Sequence, residues 1–422
     1  MSLKSQSQSV EVFEINNVRI VNIKNDSENI YFGIACLCGS NYESPDIAGI
    51  SHYIEHCCFK ATTSRTWEQI NRDFARLGAS PNAYTSNTEV VYHASCPKNS
   101  LEGTINIMLD MFFNSTFPED EIEKERNVII EEKKTYEDDP RSYFYGQTGR
   151  LLSWELGHDT LGTFDTIRSI KRHNMINYLN DKINFNNFII ICCGNINKID
   201  LVKYLKKNIP SSHSYLHKGE KNTFEGGFWS DMIKQPKKIK ITVYKKNLMQ
   251  SSISMFTQGL SVFDKDYFAF NVLLKAIGGG MYSKLFSQIR EKLGLCYSVG
   301  MYSNILSYPD KVITELYGLI SPDNIDSFMR ESEKVLKDVV KNGIDKDLFT
   351  CAKMDVLSSL LRRVETSQGK ASLLLNRLLY GKEGSVEGIT RMVSRVNLKQ
   401  CNDMVGLLDT KYNWAVMIPE NT

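Results

Sequence analysis

The feature that most constrains this chain is a repeat: it reads as one unit written twice. "YFGIACLCGSNYESPDIAGISHYIEH" has the pattern of a strand, a turn at Gly39 and a helix after Asp46, which can cap it. "SISMFTQGLSVFDKDYFAFNVLLKAI" repeats it as a strand, Gly259 and a helix after Asp266, both landmarks displaced by 220 residues. Each half closes on a strand that follows an asparagine-containing turn, "NNFIIICCGNI" at 186–196 and "YNWAVMIP" at 412–419. A period this long is duplication of a whole domain, not a solenoid repeat.

Strands alternate with long helical patterns at 119–138, 323–341 and 345–365, and "GASPNAYTSNTEVVYHASC" has the turn chemistry of a hairpin. The expected class is therefore α+β, with two similar duplicated domains, each a mostly antiparallel sheet with helices packed on it. Residues 211–236 lack periodicity and collect Ser, Gly, Lys and Asn, a linker composition. That places an N-terminal domain at 1–210, the linker at 211–236 and a C-terminal domain at 237–422.

Within the first copy, "SHYIEHCCFK" (51–60) holds two histidines four apart with a glutamate between them and two adjacent cysteines. Three readings compete: a metal site, a thiol site, or the polar edge of a helix. On a helix His52 and His56 share a face and Glu55 lies at its edge. Two such imidazoles can bind one Zn²⁺, and the glutamate can polarise a water in the open position without being a ligand. H-x-x-E-H is the inverted order of H-E-x-x-H. The ten cysteines are scattered with no C-x-x-C pair. Neighbours such as Cys57 and Cys58 are poorly spaced to bridge each other, and buried thiols act as small apolar groups. Packing is the expected role of both.

A catalytic zinc needs a third protein ligand. In "DEIEKERNVIIEEKKTYEDD", Glu125 and Glu132 stand seven apart, on one stripe with Val128 and Ile129. A carboxylate buried on such a stripe must be paired, protonated or metal-bound. Glu132 is the expected third ligand, and Glu125 a group that orients a histidine.

These segments, with "HCCFKATTSRT", "GASPNAYTSNTEVVY" and "GGGMYSKLFSQIREKLGLCYSV", resemble the inverzincin metallopeptidases of the pitrilysin/insulinase family, especially the processing-peptidase branch with short subunits. That family's pattern sets the third ligand 76 residues after the second histidine, the separation of His56 and Glu132 here. The resemblance spans essentially the whole chain. It implies that Glu55 is the general base and that one zinc per chain is held by His52, His56 and Glu132. Asn82 and Ala83 would begin an edge strand to which extended substrate adds. Arg290 and Tyr297 would contact substrate, Tyr297 donating to the developing oxyanion. It further implies that one chain supplies half of a clam-shell chamber, hence a homodimer with Arg290 and Tyr297 acting in trans.

The formal charge is only +2, from 51 Lys+Arg against 49 Asp+Glu, which gives no electrostatic reason for a nucleic-acid or anionic-membrane partner. "MSLKSQSQSVEVFEI" lacks the apolar stretch of a signal peptide, and no run has the length of a membrane span. With the reduced thiols this points to a cytoplasmic protein. The expected function is a zinc endopeptidase acting on peptides or unstructured segments. A dedicated peptidase for one precursor, and a non-catalytic peptide-binding partner subunit, are the alternatives.

Overall fold

The computed structural model describes residues 9–152, 159–222, 240–246, 249–307, 311–382, 384–409 and 412–420. The later part of the expected linker, 223–236, lies outside them. Its earlier part belongs to the first unit, where Tyr215 enters the core and the Asn222 amide donates to Asn187 Oδ1.

Contacts divide the chain into two compact units that are discontinuous in sequence. The first comprises Met1–Lys134, His158–Phe224 and Arg362–Ile389. It carries a six-stranded sheet built from β1 (Ser9–Ile15), β2 (Val18–Lys24), β3 (Asn29–Cys36), β4 (Ser80–Thr85), β5 (Val90–Pro97) and β6 (Phe188–Gly194). The order is β1-β2-β6-β3-β5-β4, antiparallel throughout except for β2 with β6. Alternation sends Ile30, Phe32, Ile34 and Cys36 of β3, and Val90, Tyr92, Ala94 and Cys96 of β5, into one core. The helices Ile50–Cys57 and Leu101–Asn114 cover that face. β6 is buried along its whole length because both its faces are covered. The opposite face lies under the helix Ser367–Leu379, whose Ser367 hydroxyl donates to Asn29 O at 3.0 Å.

The second unit comprises Thr135–Gly157, Glu225–Leu361 and Thr390–Thr422. Its five strands are β7 (Lys240–Lys245), β8 (Ser251–Gln258), β9 (Cys296–Ser307), β10 (Lys311–Ile320) and β11 (Asn413–Pro419), in the order β7-β11-β8-β10-β9. Again one pair, β7 with β11, is parallel. The main core gathers Ile253, Met255, Leu316 and Trp414 under the helix Tyr267–Gly278. On the other face Phe144, from the helix Pro140–Leu152, packs with Phe256, Ile313 and Met417.

The duplication is therefore visible in topology: β2-β6-β3-β5-β4 and β7-β11-β8-β10-β9 have the same order and the same directions. Each half of the sequence also lends the other half's unit one helix, Pro140–Leu152 in one direction and Ser367–Leu379 in the other. The two landmark glycines do the same work in both copies. The Gly39 amide donates to Thr88 O at 3.2 Å and the Gly259 amide to Val312 O at 2.8 Å. A Cβ on Gly39 would sit 2.3 Å from Ser86 O, and one on Gly259 would sit 2.7 Å from Val312 Cγ1.

The expected cap at Asp46 is not formed. Asp46 lies in a short 3₁₀ turn, Pro45–Ile47, and the helix begins at Ile50 behind Gly49. Buried Glu43 does the capping, its carboxylate accepting from the Gly49 amide at 2.7 Å and the Ser51 amide at 2.9 Å. Gly49 has φ +90°, and its Cβ would lie 2.3 Å from Leu161 O; Gly162, at φ +76°, would set a Cβ 2.1 Å from Ala48 O. These two glycines seat the 159–163 turn directly on the start of the histidine helix. Gly162→Ala is expected to destabilise the chain by more than about 1 kcal/mol, since both φ and space forbid the methyl. A lower urea midpoint at unchanged slope is the measurement.

Candidate metal centre

The helix Ile50–Cys57 is short, and its apolar side holds it: Ile50, Tyr53, Ile54 and Cys57 are buried, leaving His52, Glu55 and His56 on the open side. Against it lies the helix Glu119–Asp138, positioned by the Tyr53 hydroxyl, which donates to Ile122 O at 2.6 Å. On the stripe expected to carry the carboxylates Ile129 is buried, whereas Val128 is 48% exposed, so the stripe is narrower than the sequence pattern implies.

His52, His56 and Glu132 each offer one ligand atom, and the three lie within 4.8 Å of one another, all in the first unit. Glu132 Oε2 is 3.7 Å from His52 Nε2 and 3.5 Å from His56 Nε2. A tetrahedral cation with bonds of roughly 2.0–2.2 Å sets its ligand atoms about 3.3–3.6 Å apart. Two imidazoles and one carboxylate at this spacing thus fit a divalent cation with an open fourth position. Cys57 and Cys58 are buried outside this cluster, and burial pushes the Cys58 thiol up to about 12, so neither offers a thiolate.

The surrounding charges hold the donors in place. The His56 Nδ1–H donates to Glu125 Oε2 at 3.0 Å, which leaves Nε2 facing Glu132. Lys60 Nζ lies 2.6 Å from the other oxygen, Glu125 Oε1. Burial works to raise Glu125, but the bonds from His56 and Lys60 outweigh it and hold it below the usual carboxylate range. Burial likewise works to lower His56, and its bonds to Glu125 and Glu132 instead hold it at about 9. His52 goes the other way: burial and then the neighbouring His56 push it down to about 4, against the carboxylates of Glu132 and Asp159. Glu132 is lowered, first by its bond with His56. Glu55 is raised by burial despite the Thr85 hydroxyl, which donates to its Oε2 at 2.6 Å.

The chain matches the family model for insulinase (peptidase family M16) over residues 19–148 and the model for the peptidase M16 inactive domain over 169–356. A Bacillus subtilis protein named "Uncharacterized zinc protease YmxG" is 30% identical over 410 residues, covering 96% of this chain and 97% of its own. The chain belongs to the insulinase (M16) family. A Rickettsia felis protein, also named an uncharacterized zinc protease, is 28% identical over 373 residues, with 87% of each chain covered. Among solved structures, a protease from Helicobacter pylori superposes with a TM-score of 0.87 at 18% identity, over 98% of this chain and 100% of that one. A peptidase M16 inactive domain from Pseudomonas fluorescens gives a TM-score of 0.85 at 16% identity, over 98% and 99% of the two chains. M16 membership and the two-sheet α+β architecture thus agree.

In this M16 chain Asn82 and Ala83 lie in the middle of β4, which begins at Ser80 and not at Asn82 as expected, and which is an edge strand pairing with β5 alone among the described strands. Asn82 Oδ1 accepts from the Ala83 amide at 2.8 Å. Arg290 and Tyr297 belong to the second unit and stack on each other, the guanidinium 5.2 Å from the Tyr297 ring and 4.6 Å from that of Phe286. Tyr297 is 73% exposed, so its ring is not part of the core. Arg290 sits in a π-helical turn, Phe286–Lys292, where an ordinary helix was the natural reading of "YSKLFSQIREKLG". No helix of the described residues is long and apolar enough to cross a membrane.

Sequence reading missed Lys60, Thr85 and Glu43. Lys60 stands four residues after His56 but beyond the helix end, so helical spacing does not point to it. Thr85 lies two residues after Ala83 and therefore shares its face of β4, a usable signal. Glu132→Gln is expected to weaken Zn²⁺ or Co²⁺ binding by more than the roughly 10- to 100-fold typical of residues behind the ligands. Chelator competition on the purified chain measures it.

Proposed function

We propose that the protein is a zinc endopeptidase acting on peptides or unstructured polypeptide segments, with His52, His56 and Glu132 holding one zinc per chain. The observation that carries this reading is the convergence of three metal-ligating atoms within 4.8 Å, with the Glu55 carboxyl group, held by the Thr85 hydroxyl, close enough to feel the charges of His56 and Glu132. Zinc, when bound, supplies a Lewis acid that polarises the scissile carbonyl and lowers the pKa of water. The residues of the chain do the rest.

Glu55 takes the proton of the attacking water and returns it to the leaving amine. Its environment suits both steps, because burial raises its basicity while Thr85 fixes the carboxylate rotamer. Thr85 ends β4, so the same hydrogen bond ties the base to the strand proposed to receive substrate. An extended peptide adding to the free edge of β4 at Asn82 and Ala83 would run past Glu55 in a fixed register. A peptide already paired elsewhere cannot do this, which favours unstructured segments as substrates.

Arg290 and Tyr297 are proposed to meet substrate from a second copy of the chain, in a homodimer whose two copies enclose a chamber. The exposed Tyr297 hydroxyl is a donor for the developing oxyanion, and Arg290, stacked on it, restricts its ring. The relatives named zinc proteases support the activity; the cytoplasm as the site of action rests on the sequence reading.

Two experiments test this. Glu55→Gln is expected to keep its zinc while cleavage of an unstructured peptide falls at least about 100-fold, the usual contribution of a general base. Zinc retained with wild-type cleavage would remove Glu55 from the mechanism. Zinc retained by a wild type that cleaves no peptide would favour the partner-subunit or single-precursor reading. Action in trans makes a separate forecast. Inactive Glu55→Gln and Tyr297→Phe chains, once mixed and exchanged, should regain activity through one intact site per mixed dimer. No recovery despite exchange would exclude it.

A further inference from the structure

The two histidines of the centre are not equally supported. His56 is backed by a complete relay, Nδ1 to Glu125 at 3.0 Å and Glu125 to Lys60 at 2.6 Å. His52 turns Nε2 toward Glu132 in the same way, yet its Nδ1 is buried with no hydrogen-bond partner among the described residues. A second buried atom in the first unit has the matching defect. Asp159 Oδ1 is an acceptor without a donor, while Asp159 Oδ2 is held at 3.1 Å by Lys133 Nζ. Lys133 follows the ligand Glu132 in sequence, and its side chain is 2% exposed.

The backbone brings these two orphans toward each other. Asp159 opens the tight turn closed by the Gly162 amide on Asp159 O at 2.9 Å. That turn packs on the first residues of the histidine helix through the Gly49–Gly162 contact, and the Thr166 hydroxyl pins it by donating to Ala48 O at 2.6 Å. His52 lies less than one turn beyond Gly49. The Asp159 charge acts on His52, working to raise it against burial.

We propose that Asp159, held by Lys133, is the positioning residue for His52, accepting its Nδ1–H directly or through one bridging water. The centre then has two parallel relays, His56–Glu125–Lys60 and His52–Asp159–Lys133. An imidazole that donates Nδ1–H to a carboxylate is fixed in the tautomer that offers Nε2 and is a more basic ligand. One ordered water can join two polar groups that stand too far apart for direct contact, provided both lack other partners.

This inference rests on the metal reading above, and the test separates the two. Zinc affinity is measured by chelator competition on the full-length wild type, Asp159→Asn and Glu125→Gln, with the melting temperature of each metal-free chain. Asp159→Asn is expected to bind zinc roughly 10- to 100-fold more weakly, like Glu125→Gln, when each is measured well below its own metal-free melting temperature, which falls in Asp159→Asn because buried Lys133 loses its carboxylate. Equal affinity of Asp159→Asn and wild type would overturn this inference alone. A wild type that binds no zinc would overturn the metal reading and this inference with it. If Asp159→Asn does not fold, the His52 Nδ1–H proton of the zinc-loaded wild type decides. A slowly exchanging, downfield proton supports the relay, and exchange as fast as that of an exposed imidazole overturns it.

Discussion

The hydrogen bond between His56 Nδ1 and Glu125 Oε2, 3.0 Å long, sets how the two helices of the centre face each other. Glu125 is buried on the helix Glu119–Asp138, and a buried carboxylate without partners would be costly. Its two oxygens are spoken for by His56 and Lys60, both from the segment that carries the histidines. Sliding the long helix by one residue would break both contacts and turn Glu132 off its face. Glu132, two turns further on, arrives at the Nε2 side of both imidazoles because Glu125 occupies the Nδ1 side of one. Ligand geometry is in this sense a consequence of the buried pair behind it.

The same carboxylates set the sign of the local field. His56 is held at about 9 by Glu125 and Glu132 although burial opposes its charge, so the pocket favours positive charge at that spot. His52, with burial dominant, is pushed down to about 4 and stands neutral with a lone pair to offer. A centre that stabilises a cation while presenting one neutral imidazole is chemically disposed toward a metal ion.

How much of this could be read from residues alone follows from the distance over which each interaction acts. His52, Glu55 and His56 were legible because helical periodicity brings them together locally. Glu132 stood out through its stripe with Glu125 and through a family spacing. Lys60 and Glu43 were not legible: one lies past a helix end, and the other reaches the start of the helix from a turn with no fixed period. Asp46 looked like the cap because Asp before an apolar run usually is one. Tertiary packing gave that role to Glu43, since Gly49 must reach φ +90° to meet the 159–163 turn. The exchange of the helices Pro140–Leu152 and Ser367–Leu379 left no trace either. An amphipathic helix records that it has an apolar face, not which sheet will cover it.

Duplication explains why, among the described residues, the His–His–Glu cluster lies in the first unit alone. Offset by the 220 residues that separate Gly39 from Gly259, Val272 and Ala276 stand where His52 and His56 stand in the first copy. Both are fully buried in the core of the second unit, on a helix that starts at Tyr267 and runs twelve residues, against eight for Ile50–Cys57. With apolar residues at those positions the helix can lie flat on its sheet and gain area along its length, a term worth roughly 25 cal/mol per Å². The first copy forgoes that burial on its open face and holds its shorter helix by other means: the Glu43 cap, the Gly49–Gly162 contact and the Glu125–Lys60 pair. The extra polar contacts around the histidine helix are therefore what an open, polar face requires if a common scaffold is to keep its shape.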